Sequence, residues 1–364
     1  MKSKANALYV HIPFCKNICF YCDFAKFIYN QERVDKYFES LFFDLKQIEP
    51  YKFKTIYIGG GTPSAIDKTN LEKLLSYLSK HLKDNYEFTI ECNVEDINDD
   101  LLKLFVKYGI NRLSIGVQTF NDKLIKIINR HHNKEMAINN INKASKYIEN
   151  ISVDMIYALP EQSFEDLKED VSIITSLPIK HISYYSLLIE ENTPFYARKI
   201  KELDDDIQAD YYKYIYNNLL SCGFKRYEIS NFAKNGFESK HNKVYWHNQH
   251  YYGIGLNASG YIGNIRYKNQ NNIIKYINKD FNYIEKIKLD KHDKMFEQIM
   301  LNLRLDEGLN INSFNRRFKC DFNELFAAPL AYLMDQKLIY IDNNYLKTTF
   351  EGSLLLDLIL EEFI

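Results

Sequence analysis

Segments typical of β-strands alternate with segments typical of α-helices along the first half of this chain. The predicted strands cover residues 7–12, 55–58, 86–92, 112–117, 151–157 and 181–187. The predicted helices between them cover residues 32–48, 70–81, 99–108, 134–148 and 164–176. Strands and helices that alternate at this spacing indicate βα units with a parallel sheet. We therefore predict an α/β fold built on six such units.

Three cysteines follow the first predicted strand in a C-x3-C-x2-C arrangement, at Cys15, Cys19 and Cys22. Six cysteines in 364 residues produce such a pattern by chance in about one chain in a thousand. A [4Fe–4S] cluster normally takes four cysteine ligands, so three leave one iron open to an exchangeable ligand such as S-adenosylmethionine. The alternative is structural zinc, completed by His11 or His241. Zinc loops usually come as paired knuckles, and the chain has no second C-x2-C, so the spacing favours iron–sulfur.

The second predicted strand ends in three consecutive glycines, Gly59, Gly60 and Gly61. Glycine lets the backbone approach a ligand closely and adopt positive φ without steric cost. A tight turn between strand and helix is the alternative interpretation of the same residues. The glycines alone leave both interpretations open.

Polar residues stand at or near the ends of the next three predicted strands, at Glu91, Gln118 and Asp154. The carboxyl ends of parallel strands are where barrel proteins place their chemistry. Asp154 interrupts an apolar strand, and an unpartnered carboxylate there is costly. We expect it to pair with Arg130, with a lysine, or with the ribose hydroxyls of a nucleoside.

Residues 241–250 contain three histidines, a tyrosine, Tyr245, and the only tryptophan of the chain, Trp246. A neutral imidazole is a common ligand of heme iron, and flat aromatic rings pack well against a macrocycle. Core packing around hydrogen-bonded histidines is the alternative. Composition by itself does not separate the two.

The chain is close to neutral and contains no pattern of paired cysteines. A formal net charge of −1 argues against a protein that binds nucleic-acid phosphates. Cys92, Cys222 and Cys320 are scattered singly, which indicates a reducing, cytoplasmic setting. No apolar run reaches the roughly 18 residues of a membrane span, and no signal-peptide pattern opens the chain. We expect no integral membrane segment.

The alternation weakens after residue 190, and the rest of the chain divides in two. The glycine-rich piece 253–263 is predicted to be a sharp connection that returns the chain to the barrel. Helices at 292–304 and 323–335 with strands at 338–342 and 345–348 predict a small winged-helix-like α+β domain that lacks a basic recognition face. The predicted domains are residues 1–200, 201–285 and 286–364.

Several short motifs, and the order in which they occur along the chain, resemble the radical SAM family. Within that family they resemble the HemN/HemW branch of oxygen-independent coproporphyrinogen III dehydrogenases and heme chaperones. Besides the cysteine loop, they are YIGGGTPS (57–64), NRLSIGVQTF (111–120), VDMIYALP (153–160), HISYYSL (181–187), YEISNFA (227–233) and HNKVYW (241–246). The resemblance implies a partial (β/α)6 barrel with a [4Fe–4S] cluster on the three cysteines. It places S-adenosylmethionine against Tyr9, Tyr21, Gly60, Gly61, Thr62, Glu91, Gln118, Arg130 and Asp154.

The resemblance further implies heme as a ligand, because HNKVYW matches a motif tied to heme binding in the chaperones of this branch. His241 is the predicted heme ligand. The first hypothesis is a heme chaperone that passes heme to an acceptor protein. The alternative is a coproporphyrinogen III dehydrogenase, which also needs an electron donor. Whether the chain forms a homodimer is open.

Three departures from the dehydrogenase pattern favour the chaperone. Phe24 stands where the dehydrogenases carry a fourth cysteine, only 14 residues precede Cys15, and HNKVYW belongs to the chaperones. Other departures concern the whole family. Val94 replaces a common proline, and Ala158 and Glu161 replace usual glycines, which is expected to alter cofactor affinity. A radical SAM enzyme acting on tRNA is disfavoured by the neutral charge.

Overall fold

A computed structural model describes residues 5–48 and 51–364, so residues 1–4 of the first predicted domain lie outside it. The strands are β1 (Ala7–Ile12), β2 (Phe14–Cys15), β3 (Phe27–Ile28), β4 (Phe53–Gly60), β5 (Leu82–Asn93), β6 (Arg112–Gln118), β7 (Asn150–Tyr157), β8 (His181–Ser186), β9 (Lys225–Glu228), β10 (Asn231–Ala233), β11 (Tyr251–Ile254), β12 (Ser259–Ile262), β13 (Ile265–Lys268), β14 (Glu285–Lys288), β15 (Leu309–Asn310), β16 (Ile339–Asp342) and β17 (Tyr345–Thr348).

The helices lie mainly between the strands of the first half and in the last quarter of the chain. They are α1 (Gln31–Lys46), α2 (Lys68–Ser79), α3 (Asp99–Lys107), α4 (Asp122–Ile127), α5 (Lys134–Ala144), α6 (Phe164–Ser176), α7 (Pro194–Ala197), α8 (Asp205–Ser221), α9 (Lys240–Trp246), α10 (Ile273–Ile277), α11 (Lys291–Asn302), α12 (Ile311–Phe318), α13 (Phe322–Leu325), α14 (Ala327–Asp335), α15 (Phe350–Leu354) and α16 (Leu356–Glu361). None of those in the described residues combines the length and hydropathy of a transmembrane span.

One sheet of twelve strands organises the molecule, in the order β14-β13-β12-β11-β1-β4-β5-β6-β7-β8-β10-β9. The strands β1 and β4 to β8 pair in parallel and in chain order, which confirms the predicted six βα units. Parallel neighbours need helical crossovers, and these cover the outer face of the sheet.

The glycine-rich piece after residue 250 does return the chain to the barrel, but as strands rather than as a sharp connection. β11 pairs in parallel with β1, with Gly253 opposite Tyr9, and β12 follows it. A Cβ at Gly253 would lie 1.9 Å from the carbonyl oxygen of Ser259, so only glycine permits the close approach of these two backbones.

The two faces of β1 show why the lumen is polar. Leu8, Val10 and Ile12 belong to the main hydrophobic core, which also contains Tyr37 and Leu41 of α1. Successive side chains of a strand point to opposite faces, so the odd-numbered residues of β1 face the lumen. Burial of the apolar face holds the strand in place and leaves the other face free for polar side chains.

The last quarter of the chain has a core of its own. β15, β17 and β16 form an antiparallel three-stranded sheet, and the helices from α11 onward pack beside it. Ile299, Phe314, Phe322 and Leu346 belong to its hydrophobic cluster. The α/β fold with a separate C-terminal α+β domain is thus confirmed, while the boundaries at residues 200 and 285 stay predictions.

Candidate functional site at the two ends of the barrel

A cavity of about 410 Å³ opens at the carboxyl ends of the parallel strands and continues into the barrel. Its lining includes all three cysteines of the loop and eight of the nine predicted cofactor residues. Those eight are Tyr21, Gly60, Gly61, Thr62, Glu91, Gln118, Arg130 and Asp154. The ninth, Tyr9, does not line the cavity. The structure therefore gathers residues that are far apart in the chain at one place.

Tyr9 instead helps to hold the cysteine loop. Its hydroxyl lies 2.9 Å from Nδ1 of His11, and Nε2 of His11 lies 3.0 Å from the carbonyl oxygen of Ala25. A carbonyl only accepts, so Nε2 carries the proton and Nδ1 accepts from Tyr9. The pair ties β1 to the segment that follows Cys22.

The three thiols of the loop lie close to one another. The pKa of Cys15 is raised to about 11, mainly by burial, and the neighbouring Cys22 and Cys19 add to the rise. The hydroxyl of Thr62 donates to Sγ of Cys15 over 3.4 Å, and Nη1 of Arg130 donates to Sγ of Cys19 over 3.6 Å. Metal binding would release protons here, because thiolates are the ligands.

The glycine loop passes directly against the first cysteine. A Cβ at Gly61 would lie 2.8 Å from the backbone nitrogen of Phe14 and 3.0 Å from Sγ of Cys15. Only glycine fits between these two elements. Three gathered thiols beside an open cavity suit an iron–sulfur cluster with one free iron.

Glu91 stands at the centre of the cavity wall. Its carboxylate accepts from the hydroxyl of Tyr57 over 2.8 Å and from the backbone N–H of Gly60 over 2.9 Å. Burial raises the pKa of Glu91 to about 7, the two hydrogen bonds oppose that rise, and the negative charge of Asp154 adds to it. A buried carboxylate in this position is suited to bind an ammonium group.

Two other residues that line the cavity have a strained backbone or an unpaired hydrogen-bond donor. Gln118 has a φ of 74°, a left-handed conformation that costs a non-glycine residue about 1 kcal/mol. Arg130 donates to Oδ1 of Asn93 over 2.9 Å and to the carbonyl oxygen of Gly116, but its buried Nε has no partner among the described residues. Such features are typical of binding sites.

Asp154 accepts hydrogen bonds from serine hydroxyls, which were not among its predicted partners. Oγ of Ser114 donates to its carboxylate over 2.9 Å, and Ser152 and Ser183 also bond to it. Arg130 is engaged elsewhere, and no lysine of the described residues pairs with Asp154. Burial raises the pKa of Asp154. The ribose of a nucleoside is the one expected partner still open.

His241 lies at the opposite, amino-terminal end of the barrel, on α9. It is 1% exposed, and its ring centroid is 5.3 Å from that of Tyr57. Nδ1 lies 2.9 Å from the hydroxyl of Thr55, and Nε2 lies 2.7 Å from the hydroxyl of Tyr245. Burial lowers the pKa of His241 to about 3, so the imidazole is neutral. Both ring nitrogens have partners.

The rest of α9 is anchored to the same end of the barrel. The backbone N–H groups of Lys240 and His241 donate to the carboxylate of Glu87 over 3.0 and 2.9 Å. The helix thereby closes the lumen from below. For the alternative zinc site, both ring nitrogens of His11 and of His241 already have other partners.

Sequence reasoning missed several residues that shape the cavity. Tyr57 bonds to Glu91, Asn93 bonds to Arg130, and three serines surround Asp154. Tyr57 begins the YIGGGTPS motif, and Ser152 precedes Asp154 by two residues on the same face of β7. Tyr57 and Ser152 could have been found from the sequence. The positions of Ser114 on β6 and Ser183 on β8 relative to Asp154 depend on strand register, which the sequence does not give.

Comparison with known proteins decides the family. Residues 9–174 match the model of the Radical SAM superfamily, and residues 289–355 match the HemN C-terminal domain. The chain is 40% identical over 373 residues to the heme chaperone HemW of Lactococcus lactis subsp. lactis (strain IL1403), with 100% of this chain and 98% of that protein covered. The chain belongs to the HemW family of radical SAM proteins. A second HemW, from Bacillus subtilis (strain 168), is 35% identical over 364 residues and covers 95% of this chain and 96% of its own.

A solved structure with the same fold is that of coproporphyrinogen III oxidase (HemN) from Escherichia coli. The TM-score is 0.86 at 23% identity, and the match covers 99% of this chain and 90% of that one. This likeness confirms the predicted radical SAM barrel with an appended C-terminal domain. Membership of the superfamily gives the chain a [4Fe–4S] cluster and S-adenosylmethionine as cofactors, and the gathered thiols and the open cavity fit both.

Proposed function

We propose that this chain is a heme chaperone that binds heme and passes it to an acceptor protein. The observation that carries the proposal is its similarity, over nearly the whole length of each chain, to two proteins named heme chaperone HemW. Phe24, in place of a fourth cysteine, and the HNKVYW segment support it. We also propose a cytoplasmic location, since Cys92, Cys222 and Cys320 lie outside the cluster loop and none of them forms a disulfide among the described residues.

For the cofactor end, we propose that Cys15, Cys19 and Cys22 hold the cluster. The predicted residues that line the cavity bind S-adenosylmethionine, with Glu91 receiving its amino group and Asp154 its ribose. The Gly60 N–H donates to Glu91, which supports a position of the glycine loop beside the same amino group. A reduced cluster held by these cysteines would be able to supply an electron to the sulfonium cofactor. Arg130 lies beside Cys19 and offers a free N–H donor.

For the other end, we propose that His241 ligates heme iron through a ring nitrogen. The neutral imidazole has the protonation state that a ligand needs. Nε2 must first leave the Tyr245 hydroxyl, and α9 must move away from the barrel end, because a side chain that is 1% exposed admits no macrocycle. Heme binding therefore requires α9 to give up its contacts with Thr55 and Glu87.

The test is heme titration of the full-length protein after anaerobic reconstitution of the cluster, followed by absorption spectroscopy. His241→Ala should lose the heme spectrum or bind heme at least tenfold more weakly. His247→Ala is the matched control, because His247 lies on the same segment outside the motif and should leave binding unchanged. Equal heme binding by His241→Ala and the wild type would remove His241 from the site. Light scattering with and without heme separates a monomer from a homodimer.

The second candidate is a coproporphyrinogen III dehydrogenase, favoured by the close structural match to HemN over 99% of this chain. It requires an electron donor and turnover of the cofactor. The chain, with cluster, S-adenosylmethionine, a chemical reductant and coproporphyrinogen III under anaerobic conditions, should form no decarboxylated product. Stoichiometric excess of product over protein would establish the dehydrogenase instead.

A further inference from the structure

The lumen below Asp154 is lined by polar side chains, several of them serines. Parallel barrels usually fill their interior with branched apolar residues instead. We call this part of the cavity the lower chamber. It is lined by Arg112, Ser114, Ser152, His181, Ser239 and Asn242. Small hydroxyl side chains leave space where valine or isoleucine would fill it. The lower chamber is therefore built as a polar compartment between the cofactor end and α9.

Arg112 forms the floor of the lower chamber. It is the first residue of β6 and is 2% exposed. Its Nη1 donates to Oδ1 of Asn150 over 2.8 Å and to the carbonyl oxygen of Phe237 over 3.0 Å. Within residues 5–48 and 51–364, no group accepts from Nε or Nη2, and no carboxylate forms a salt bridge with Arg112. A buried guanidinium without a direct ion pair is costly, so its two unpaired N–H groups are suited to receive an anion.

One counter-charge acts on Arg112 from a distance, because burial raises the pKa of Asp154 and the positive charge of Arg112 opposes that rise. His181 is neutral, since burial lowers its pKa, and its nitrogens lie 2.8 Å from the hydroxyls of Ser152 and Tyr227. Glu87 is occupied by the backbone N–H groups of α9. Asp154 pairs with Gly116, four residues beyond Arg112 on β6, which corresponds to about 13 Å of strand.

We propose that the lower chamber is a carboxylate-binding site in which the free N–H groups of Arg112 pair with the ligand carboxylate. The planar guanidinium presents two parallel donors that match the two oxygens of a carboxylate. Ser239 and Asn242 supply further hydrogen-bonding groups on the side of α9. A single cation and a carboxylate above it suit a singly charged anion better than a phosphate. The proposal does not depend on heme binding at His241.

The carboxylate has two possible sources, a free small organic acid or a propionate arm of a tetrapyrrole. Both present the same group to Arg112. The experiment uses full-length protein with its cluster and saturating S-adenosylmethionine, so that Arg130 at the cofactor end is covered. The probe is 3,3,3-trifluoropropionate, observed by ¹⁹F NMR line broadening under anaerobic conditions.

We expect saturable broadening with the wild type and at least tenfold weaker binding with Arg112→Gln. The matched control Arg316→Gln removes the same charge from the exposed surface of α12 and should leave binding unchanged. Asn242→Leu narrows the chamber while Arg112 stays, and should weaken binding at least fivefold even if Arg112→Gln folds poorly. No saturable binding by the wild type, or unchanged binding by Asn242→Leu, would overturn the proposal.

Competition identifies the source. Displacement of the probe by heme but not by heme dimethyl ester would assign the site to a propionate arm. No displacement by either compound would assign it to a free small acid. Equal displacement by both would contradict the proposal, because the carboxylate would then not be what occupies the chamber.

Discussion

The two ends of the barrel hold the two predicted ligand sites in opposite states. At the cofactor end, Gln118 has a left-handed backbone, and the buried Nε of Arg130 has no hydrogen-bond partner in the part of the chain that the structure describes. At the other end, both ring nitrogens of His241 have hydrogen-bond partners and the side chain is buried. The first end is preorganised for a ligand, whereas at the second a ligand must compete with internal contacts.

The largest effect is expected from removing one thiol at the cofactor end. Cys19→Ala leaves a cluster with two protein ligands, so iron and labile sulfide should fall to background in the reconstituted protein. The matched control is Cys320→Ala, which removes a free thiol from the C-terminal domain and should retain the cluster. Near-normal iron and sulfide content in Cys19→Ala would contradict the three-cysteine assignment.

The next effect concerns pH and S-adenosylmethionine. Only the ionised Glu91 pairs with the ammonium group of the cofactor, and the pKa of Glu91 in the free protein is about 7. Affinity should therefore approach its maximum near pH 8, be about half of that at pH 7, and fall about tenfold per pH unit at lower pH. Equilibrium dialysis from pH 5.5 to 8 measures the profile. Glu91→Gln should bind weakly at every pH, and the exposed control Glu39→Gln should follow the wild type; a flat wild-type profile would remove Glu91 from this role.

A smaller effect is expected at the end of the barrel that holds His241, where the variant should bind its ligand more tightly rather than more weakly. Tyr245→Phe removes the hydroxyl that occupies Nε2 of His241, which is worth about 1 kcal/mol, or roughly fivefold tighter heme binding. Tyr251→Phe is the matched control, since its ring lies 4.5 Å from that of Tyr245. Heme titration measures both variants. Weaker binding by Tyr245→Phe would indicate that this hydroxyl assists the ligand rather than competing with heme.

The smallest effect tests backbone strain beside the cofactor end. Glu161 stands at a position usually occupied by glycine and has a φ of 64°. Glu161→Gly should raise the free energy of unfolding by about 0.5 kcal/mol, because relief of the left-handed strain exceeds the entropy cost of glycine. Glu169→Gly, inside α6, should lower it by about 1 kcal/mol. Urea unfolding of both variants checks the signs, and destabilisation by Glu161→Gly would exclude strain at this position.

Sequence patterns were sufficient for the parallel half of the fold, because local periodicity determines where strands and helices lie. They were not sufficient for β11, which pairs with β1 from a distant part of the chain and closely approaches the backbone of Ser259 on β12 at Gly253.

The residues that depart from the usual family pattern have local structural explanations. Val94 begins a single turn of 3-10 helix, a position that proline tolerates well, and Ala158 has a φ of 61° like Glu161.

The candidate site was predictable where the chain itself carries the signal. The cysteines lie in one loop, and Glu91 and Gln118 stand near strand ends, so the parallel topology brings them together. The partners of Asp154 were not predictable, since Ser114 and Ser183 come from neighbouring strands and depend on register. Arg112 looked like an ordinary strand residue until its burial and its unused N–H groups were known.

The pairing of β1 with β11 has a consequence for how the protein is made. Tyr9 emerges early from the ribosome, but its neighbour Gly253 is translated much later. At about 5–20 residues per second, one edge of β1 stays bare for roughly 10 to 50 s. During that interval the unpaired backbone groups of β1 are open to pairing with another chain. The nascent protein is therefore most prone to aggregation until β11 has been synthesised.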